Sequence, residues 1–215
     1  MEILKQDVRG TLSVVGEGMV KARPDVAILD VGVVTENMSA RAAVSENAER
    51  MERLIGRIKG LGILPEDLQT VGLTVSPIVD YDEKSSTYGK IVRYRVEDTL
   101  KMHVDPARAG VALDEAVGAG GNVAGQLSFG LRDDSSQRTA ATKLAMQAAM
   151  QNAELIASTM KVEIIGVNSI DVSRGGQPVL FGKMLSREGA STPIEAGRLT
   201  ISAQVNVVYC ITKHR

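Results

Sequence analysis

Apolar and polar residues follow two periods along this chain, and the changes of period predict the order of its elements. A two-residue alternation, rich in Val, Ile and Thr, indicates strands. A spacing of three and four residues indicates helices. The predicted strands are 12–22, 26–36, 70–81, 91–104, 123–131, 164–173 and 199–211. The predicted helices are 39–59, a short one around 111–117 that begins after Asp105-Pro106, and a long one from about 135 to 160.

The central region has a recognisable order. From Val26 to Leu131 the elements run strand, helix, strand, strand, helix, strand, which is the ferredoxin-like βαββαβ order. Its first helix places a stripe of apolar residues toward the sheet: Val44, Ala48, Met51, Ile55 and Ile58. One strand remains before this region, and a long helix with two strands remains after it.

The first strand contains Gly16-Glu17-Gly18, which predicts a bulge or turn in a bent strand. Arg23-Pro24-Asp25 then interrupts the alternation. Since this break is short, we expect the first strand to form a hairpin with Val26–Glu36. The two glycines do not form a dinucleotide fingerprint, because Lys21 stands where its third glycine would lie and a strand follows.

The long helix is unusually apolar. Asp134 and Gln137 have the spacing of a capping box at its start. Its polar residues form one narrow line: Lys143, Gln147, Gln151, Glu154 and Ser158. An ordinary surface helix has a wide polar face, so we expect this helix to be held between layers of its own fold or covered by a neighbouring subunit.

A second candidate for contact with a partner lies in the loop 174–197. This loop is punctuated by glycine and proline but contains the apolar residues Val179, Leu180, Phe181, Met184 and Leu185. We take these five as candidate oligomer-interface residues. The alternative, that the loop folds back over its own sheet, is equally compatible with the pattern.

Composition excludes several partners. The chain has 215 residues and a net charge of -1, without Trp and without a long run of like charge, which argues against nucleic acid. No apolar stretch is long enough to span a membrane, and the first residues lack a signal-peptide pattern. We therefore expect a cytoplasmic protein as the chain stands, or an exported one if a signal was removed before this numbering. Cys210 lies in an apolar strand pattern typical of a buried, inert thiol.

The titratable residues do not form a conventional active site. The only histidines are His103, inside a strand, and His214, and neither has an orienting carboxylate at a suggestive spacing. Asp80, Asp82 and Glu83 could hold a divalent cation weakly, but a solvated hairpin tip explains them better. We predict no catalytic, cofactor-binding or metal residues, and no cofactor.

The order of several short motifs resembles the SIMPL domain family. The motifs are Gly16-Glu17-Gly18 with Arg23-Pro24-Asp25, Gly62-Ile63 before Asp67 and Thr70, Tyr94, Asp114, the turn Gly118–Gly121, Gly125-Gln126-Leu127-Ser128-Phe129, and the alanines 141, 145, 149, 153 and 157. The resemblance extends from Thr11 to Ile211, and two departures from it are the missing signal and Lys161, where relatives tend to have glycine.

This resemblance implies an α+β fold of two interleaved two-layer subdomains with antiparallel-rich sheets. Their expected bounds are 26–131 for the ferredoxin-like subdomain, and 11–22 with 133–211 for the second. The family includes periplasmic antigens and proteins linked to oxidative-stress defence, and it implies large ring-like homo-oligomers without known catalytic residues. Our leading hypothesis is thus a non-catalytic, self-assembling protein with a stress-protective or scaffolding role. The alternatives are a small-molecule or lipid binding module, which would use the Met/Ala-lined space between helix and sheet, and an unrecognised hydrolase.

Overall fold

The structure, a computed structural model, describes residues 8–174, 179–181 and 194–213. In chain order its elements are β1 Val8–Ala22, β2 Val26–Asn37, α1 Ala40–Gly60, β3 Leu68–Val79, β4 Ile91–Val104, α2 Ala109–Gly118, β5 Val123–Gly130, α3 Ser135–Met160, β6 Glu163–Arg174, β7 Val179–Phe181 and β8 Arg198–Lys213. The strands form two antiparallel four-stranded sheets. The expected α+β class is confirmed.

The described residues divide into two compact units, one of which is 24–130 with 194–196. Its sheet has the strand order β3-β4-β2-β5, and every neighbouring pair is antiparallel. This is the ferredoxin-like arrangement that the order of elements predicts. Helices α1 and α2 cover one face, where Leu29, Val31, Met102 and Leu54 are among the buried residues.

Helix α1 buries a slightly different stripe from the predicted one. Its buried residues are Ala43, Asn47, Met51, Leu54 and Ile58, while Val44 is exposed. Asn47 can be buried because its Nδ2 donates to the carbonyl oxygens of Val33 and Val96, at 2.8 and 3.3 Å. The buried face of α1 is therefore centred closer to Asn47 than the apolar pattern predicts, and carbonyl oxygens of the sheet accept the hydrogen bonds of its amide group.

The other unit comprises 8–23, 131–174, 179–181 and 197–213. In its sheet the strand order is β1-β8-β6, and β7 also pairs with β8. Strand β1 pairs with β8 without a break, from Val8 opposite Lys213 to Ala22 opposite Leu199. The expected bulge in β1 is therefore wrong. The expected hairpin is also wrong, because β1 and β2 belong to different sheets.

The two glycines of β1 have a different role, which is to let helix α3 lie directly on the strand. A Cβ atom at Gly16 would overlap the carbonyl oxygen of Ala145, and one at Gly18 would overlap that of Ala141. Ala141, Ala145, Ala149, Ala153 and Ala157 form the buried stripe of α3. Small residues on both elements thus bring the backbones together, as glycine in a strand permits.

Both ends of α3 differ from the expected geometry. Asp134 makes no side-chain cap, so the predicted capping box is wrong. The carboxylate of Asp134 instead accepts from Arg138 one turn later, at 2.7 Å, and this i,i+4 ion pair competes with capping. At the other end Lys161 adopts a left-handed conformation, with φ 54° and ψ 47°. Glycine is the usual residue in that conformation, so lysine forms the turn against its own preference.

Candidate assembly surface

Strand β6 is the outer strand of its sheet along most of its length. Its only partner among the described residues is β8, so one row of its backbone N–H and C=O groups is free to pair with another strand. Four of its apolar side chains are exposed: Ile165 51%, Val167 54%, Ile170 54% and Val172 40%. Free backbone groups and exposed apolar side chains on one strand are the properties of a contact surface.

Several of these side chains lie on the side of the sheet that faces α3, yet α3 does not cover them. Ile170 is directly opposite Val207 and Val172 is opposite Val205, and both β8 residues are buried under α3. Residues directly opposite on antiparallel strands share a face. Because α3 packs chiefly on β1 and β8, the apolar layer continues past the helix onto an open strand.

Register irregularities divide β6. The pairing with β8 shifts between Ile164 and Gly166 and again between Val167 and Ser169. Such bulges bend a strand and weaken its tendency to pair at an edge. The remaining regular stretch, Ser169–Arg174, is therefore the part of β6 best suited to accept another strand.

The candidate loop residues lie partly on the same edge. Val179–Phe181 form β7, which pairs with Thr200 to Arg198 of β8, just beyond the point where Arg174 of β6 pairs with Ala203. Strands β6 and β7 thus follow one another along one side of β8. Met184 and Leu185 lie outside the described residues. That the five residues form an interface stays a prediction.

The outward side of α3 adds further apolar surface to the same unit. Leu144, Met146, Met150, Leu155, Ile156 and Met160 are all exposed. The helix is therefore buried on its alanine face by its own sheet and open on the other sides. Among the described residues of this unit, no second layer packs on the outward side of α3. That a neighbouring subunit covers this side stays a prediction.

The residues weighed for chemistry do not converge. His103 is half-buried in β4, and Asp105 caps the turn after it by accepting from the Ala107 amide at 2.8 Å. Asp80 accepts from the Asp82 amide and from the Thr87 hydroxyl, and hydrogen bonds from Ser85, Thr87 and this amide lower the pKa of Asp80. Asp80 therefore organises the turn between β3 and β4, and Asp105 organises the turn after β4.

Metal-binding groups are likewise dispersed. Within the described ranges no three His, Cys, Asp or Glu side chains lie close enough to hold an ion. Cys210 is half-buried rather than fully buried. Of the helices that the structure describes, none combines the length and hydropathy needed to cross a bilayer.

Sequence reasoning missed one unusual carboxylate, Asp98 in β4. It lies directly between Val33 of β2 and Leu73 of β3, on the side of the sheet that faces the helices. Its Oδ1 is buried and has no hydrogen-bond partner among the described residues. Burial raises the pKa of Asp98, while the amide of Thr99 partly opposes that shift. The two-residue alternation with Val96 and Leu100 was a signal that could have placed it on the inner face.

Comparison with known proteins gives relatives over nearly the whole chain. The 26 kDa periplasmic immunogenic protein of Brucella melitensis is 31% identical over 208 residues, which cover 92% of this chain and 83% of that protein. A protein of the same name from Brucella abortus has the same identity and coverage. The protein YggE of Escherichia coli K12, described as uncharacterized, is 26% identical over 200 residues, with coverage of 90% and 80%.

The Brucella relatives are named as periplasmic proteins, which contradicts the expectation of a cytoplasmic location. That expectation depended on the absence of a signal-peptide pattern near Met1. The relatives' names carry more weight than this absence, so the expectation is wrong.

A family model supports the same grouping. It matches residues 12–209 and is described as SIMPL, a protein of unknown function, DUF541. This range agrees with the one over which the motifs beginning at Gly16-Glu17-Gly18 resemble the family. The relatives bear no catalytic name, which does not by itself show that the protein is not an enzyme. The chain therefore belongs to the SIMPL family, whose function is described as unknown.

Proposed function

We propose that this is an exported, non-catalytic protein that assembles with copies of itself through the edge formed by β6. The observation that carries the proposal is the combination, on β6, of free backbone groups with exposed Ile165, Val167, Ile170 and Val172. An uncovered strand of this kind is prone to pair with another chain unless something covers it. The periplasmic relatives support export.

The contact begins, in this proposal, at the regular stretch Ser169–Arg174 and extends over the apolar residues that α3 leaves open. Strand β7 lengthens the same edge, so the loop residues Val179, Leu180 and Phe181 join the contact. An assembly with many such contacts forms a large homo-oligomer, as the family resemblance implies. Any stress-protective or scaffolding role then arises from the assembled surface.

The test is the native mass of the full chain, measured by light scattering coupled to size exclusion. A Val167→Lys/Ile170→Lys variant places two charges on β6 and should dissociate the assembly. Its matched control is Val71→Lys/Leu73→Lys, which makes the same kind of change on β3, the exposed edge strand of the other sheet. The control should keep the wild-type mass.

Two results would contradict the proposal. A monomeric wild-type chain would remove self-assembly altogether. An assembly that survives the β6 variant but dissociates with the β3 variant would place the contact on the other edge. Replacing 174–197 by a short Gly/Ser linker tests the loop separately, because β6 keeps its exposed residues in that variant.

A further inference from the structure

A groove with a volume of about 620 Å³ lies beside α3, on the side of the helix toward β6 and β8. Met146 of α3, Val172 of β6 and Ala203 of β8 provide its apolar lining, and Arg138 and Lys143 provide its charge. The volume is within the range of small-molecule sites. The groove exists because α3 packs chiefly on β1 and β8 and leaves the helix-facing side of β6 open.

The two basic side chains that line the groove differ in whether they are free to bind an anion. Arg138 binds Asp134 through Nε, at 2.7 Å, and this hydrogen bond lowers the pKa of Asp134 and raises that of Arg138. Lys143 is exposed and makes no ion pair with any residue that the structure describes. Together Asp134, Arg138 and Lys143 carry one net positive charge, and the ammonium of Lys143 is the group free to bind an anion.

Of the three hydroxyl groups in the lining, two are already engaged within α3, and the third, on Ser202, is exposed. Thr139 donates its hydroxyl proton to the carbonyl of Ser135 at 2.8 Å, and Thr142 donates to the carbonyl of Arg138 at 2.9 Å. A bound molecule therefore meets few neutral donors in the groove. The lining favours a ligand with one anionic group and an otherwise apolar body, rather than a sugar or another polyhydroxylated molecule.

The apolar surface continues beyond the groove, along both elements that border it. Met150 follows Met146 by one turn of α3, and Ile170 and Val167 continue from Val172 along β6; all are exposed. The stretch from Val172 to Val167 lies opposite Val205 to Tyr209 because of the bulge between Val167 and Ser169, so it extends roughly 13 Å at the usual rise of a strand. An extended alkyl chain of medium length can lie along such a path.

We propose that this groove binds a single-chain anionic amphiphile, with the carboxylate of a fatty acid at Lys143 and its alkyl chain along Met146, Val172 and Ile170. The apolar contact supplies most of the favourable free energy, because the chain and the exposed side chains leave water together. The cation determines the sign of the head group. This site shares Val167, Ile170 and Val172 with the contact proposed above, so an amphiphile and a second copy of the chain compete for that face of β6.

The experiment is isothermal titration calorimetry of the full chain with dodecanoate below its micellar concentration. Dodecyltrimethylammonium has the same alkyl chain with the opposite charge, and acetate has the same head without the chain. We expect saturable binding of dodecanoate, weaker binding of the cationic amphiphile and no measurable binding of acetate.

The variant Lys143→Glu should weaken dodecanoate binding about tenfold or more and should strengthen binding of dodecyltrimethylammonium. Its matched control is Lys84→Glu, the same charge change on an exposed residue of the turn between β3 and β4, which should leave both affinities unchanged. Circular dichroism and light scattering should show that both variants keep the wild-type fold and mass. The proposal is overturned if dodecanoate does not bind saturably, if both amphiphiles bind equally, or if Lys143→Glu binds dodecanoate as the wild type does.

Discussion

Replacing Gly16 by alanine should destabilise the unit that contains α3. At this position the added Cβ would meet the carbonyl oxygen of Ala145 and the amide nitrogen of Ala149. Both are backbone atoms of a helix, so neither can rotate away as a flexible side chain would. The helix must move off the strand, and its buried alanines then lose contact with the sheet.

The size of the effect follows from two opposing contributions. Alanine in a strand is ordinarily more favourable than glycine by roughly 0.5–1 kcal/mol, because glycine loses more backbone entropy on folding. Inserting a methyl group into a closely packed site costs about 1–3 kcal/mol, and we expect the upper end because backbone atoms are overlapped. The net destabilisation should therefore be about 2 kcal/mol, which corresponds to a fall in Tm of roughly 4–8 °C for a chain of this size.

The assay is urea unfolding followed by far-ultraviolet circular dichroism, since the chain has no Trp. Gly10→Ala is the matched control on the same strand, because a Cβ there would meet Cγ1 of Ile211 at an ordinary 3.6 Å. The control should be neutral or slightly stabilising. If Gly16→Ala proves as stable as Gly10→Ala, then the close approach of α3 to β1 does not hold in solution.

Two further substitutions test other local features. Lys161→Gly should stabilise the protein by roughly 1 kcal/mol, because glycine adopts the left-handed conformation after α3 without the steric cost that lysine has there. Thermal unfolding measures this gain. The control Lys161→Ala keeps a Cβ and should show no such gain. Asp98→Asn should stabilise the protein at pH 7 but not at pH 3. A raised carboxyl pKa means that the folded state binds the proton more tightly, so stability falls as the pH rises from the ordinary value of 3.8 through the folded pKa. Urea unfolding at both pH values tests this, and an equal gain at pH 3 would show that the ionisation of Asp98 is not the cause.

Much of the fold could be predicted from the sequence because its elements are locally consistent. The alternation between Ile91 and Val104 predicts the bounds of β4 as the structure has them. Asp105-Pro106 predicts the start of the short helix, and in the structure Asp105 caps a 3₁₀ turn, Pro106–Arg108, after which α2 begins at Ala109. Signals of this kind depend on neighbouring residues, so they can be interpreted without knowing the partner element. The subdomain bounds stay a prediction.

The errors arose where two distant elements determine the structure. Glycine in a strand indicates either a bulge or a close approach of another backbone; the pattern around Gly16 and Gly18 predicts a bulge, whereas the structure shows a close approach of α3. The alanines at every fourth position of the long helix are the signal for a close approach. A helix face of small side chains can lie directly on a strand that has glycine opposite it. The spacing of Asp134 and Gln137 predicts a capping box, but Arg138 lies one residue beyond Gln137 and pairs with the Asp134 carboxylate instead.

The candidate surface on β6 was less accessible to sequence reasoning. Alternation in 164–173 predicts a strand with one buried face, and it does not show how far a helix extends across the sheet. Ile170 and Val172 are exposed because α3 is placed over β1 and β8. Only the sheet order and the position of the helix reveal this.

The pairing of β1 with β8 also constrains the order in which this chain can fold. The two strands lie near opposite ends of the sequence, yet they pair along the whole length of β1. Among the described strands β1 pairs only with β8, which follows every other described element, whereas 24–130 contains all four strands of its own sheet. The ferredoxin-like sheet can therefore form early. Formation of the β1–β8 ladder has the larger entropic cost of closing a very long loop. We therefore expect the glycine-bearing strand on which α3 packs to be among the last parts of the described chain to become structured.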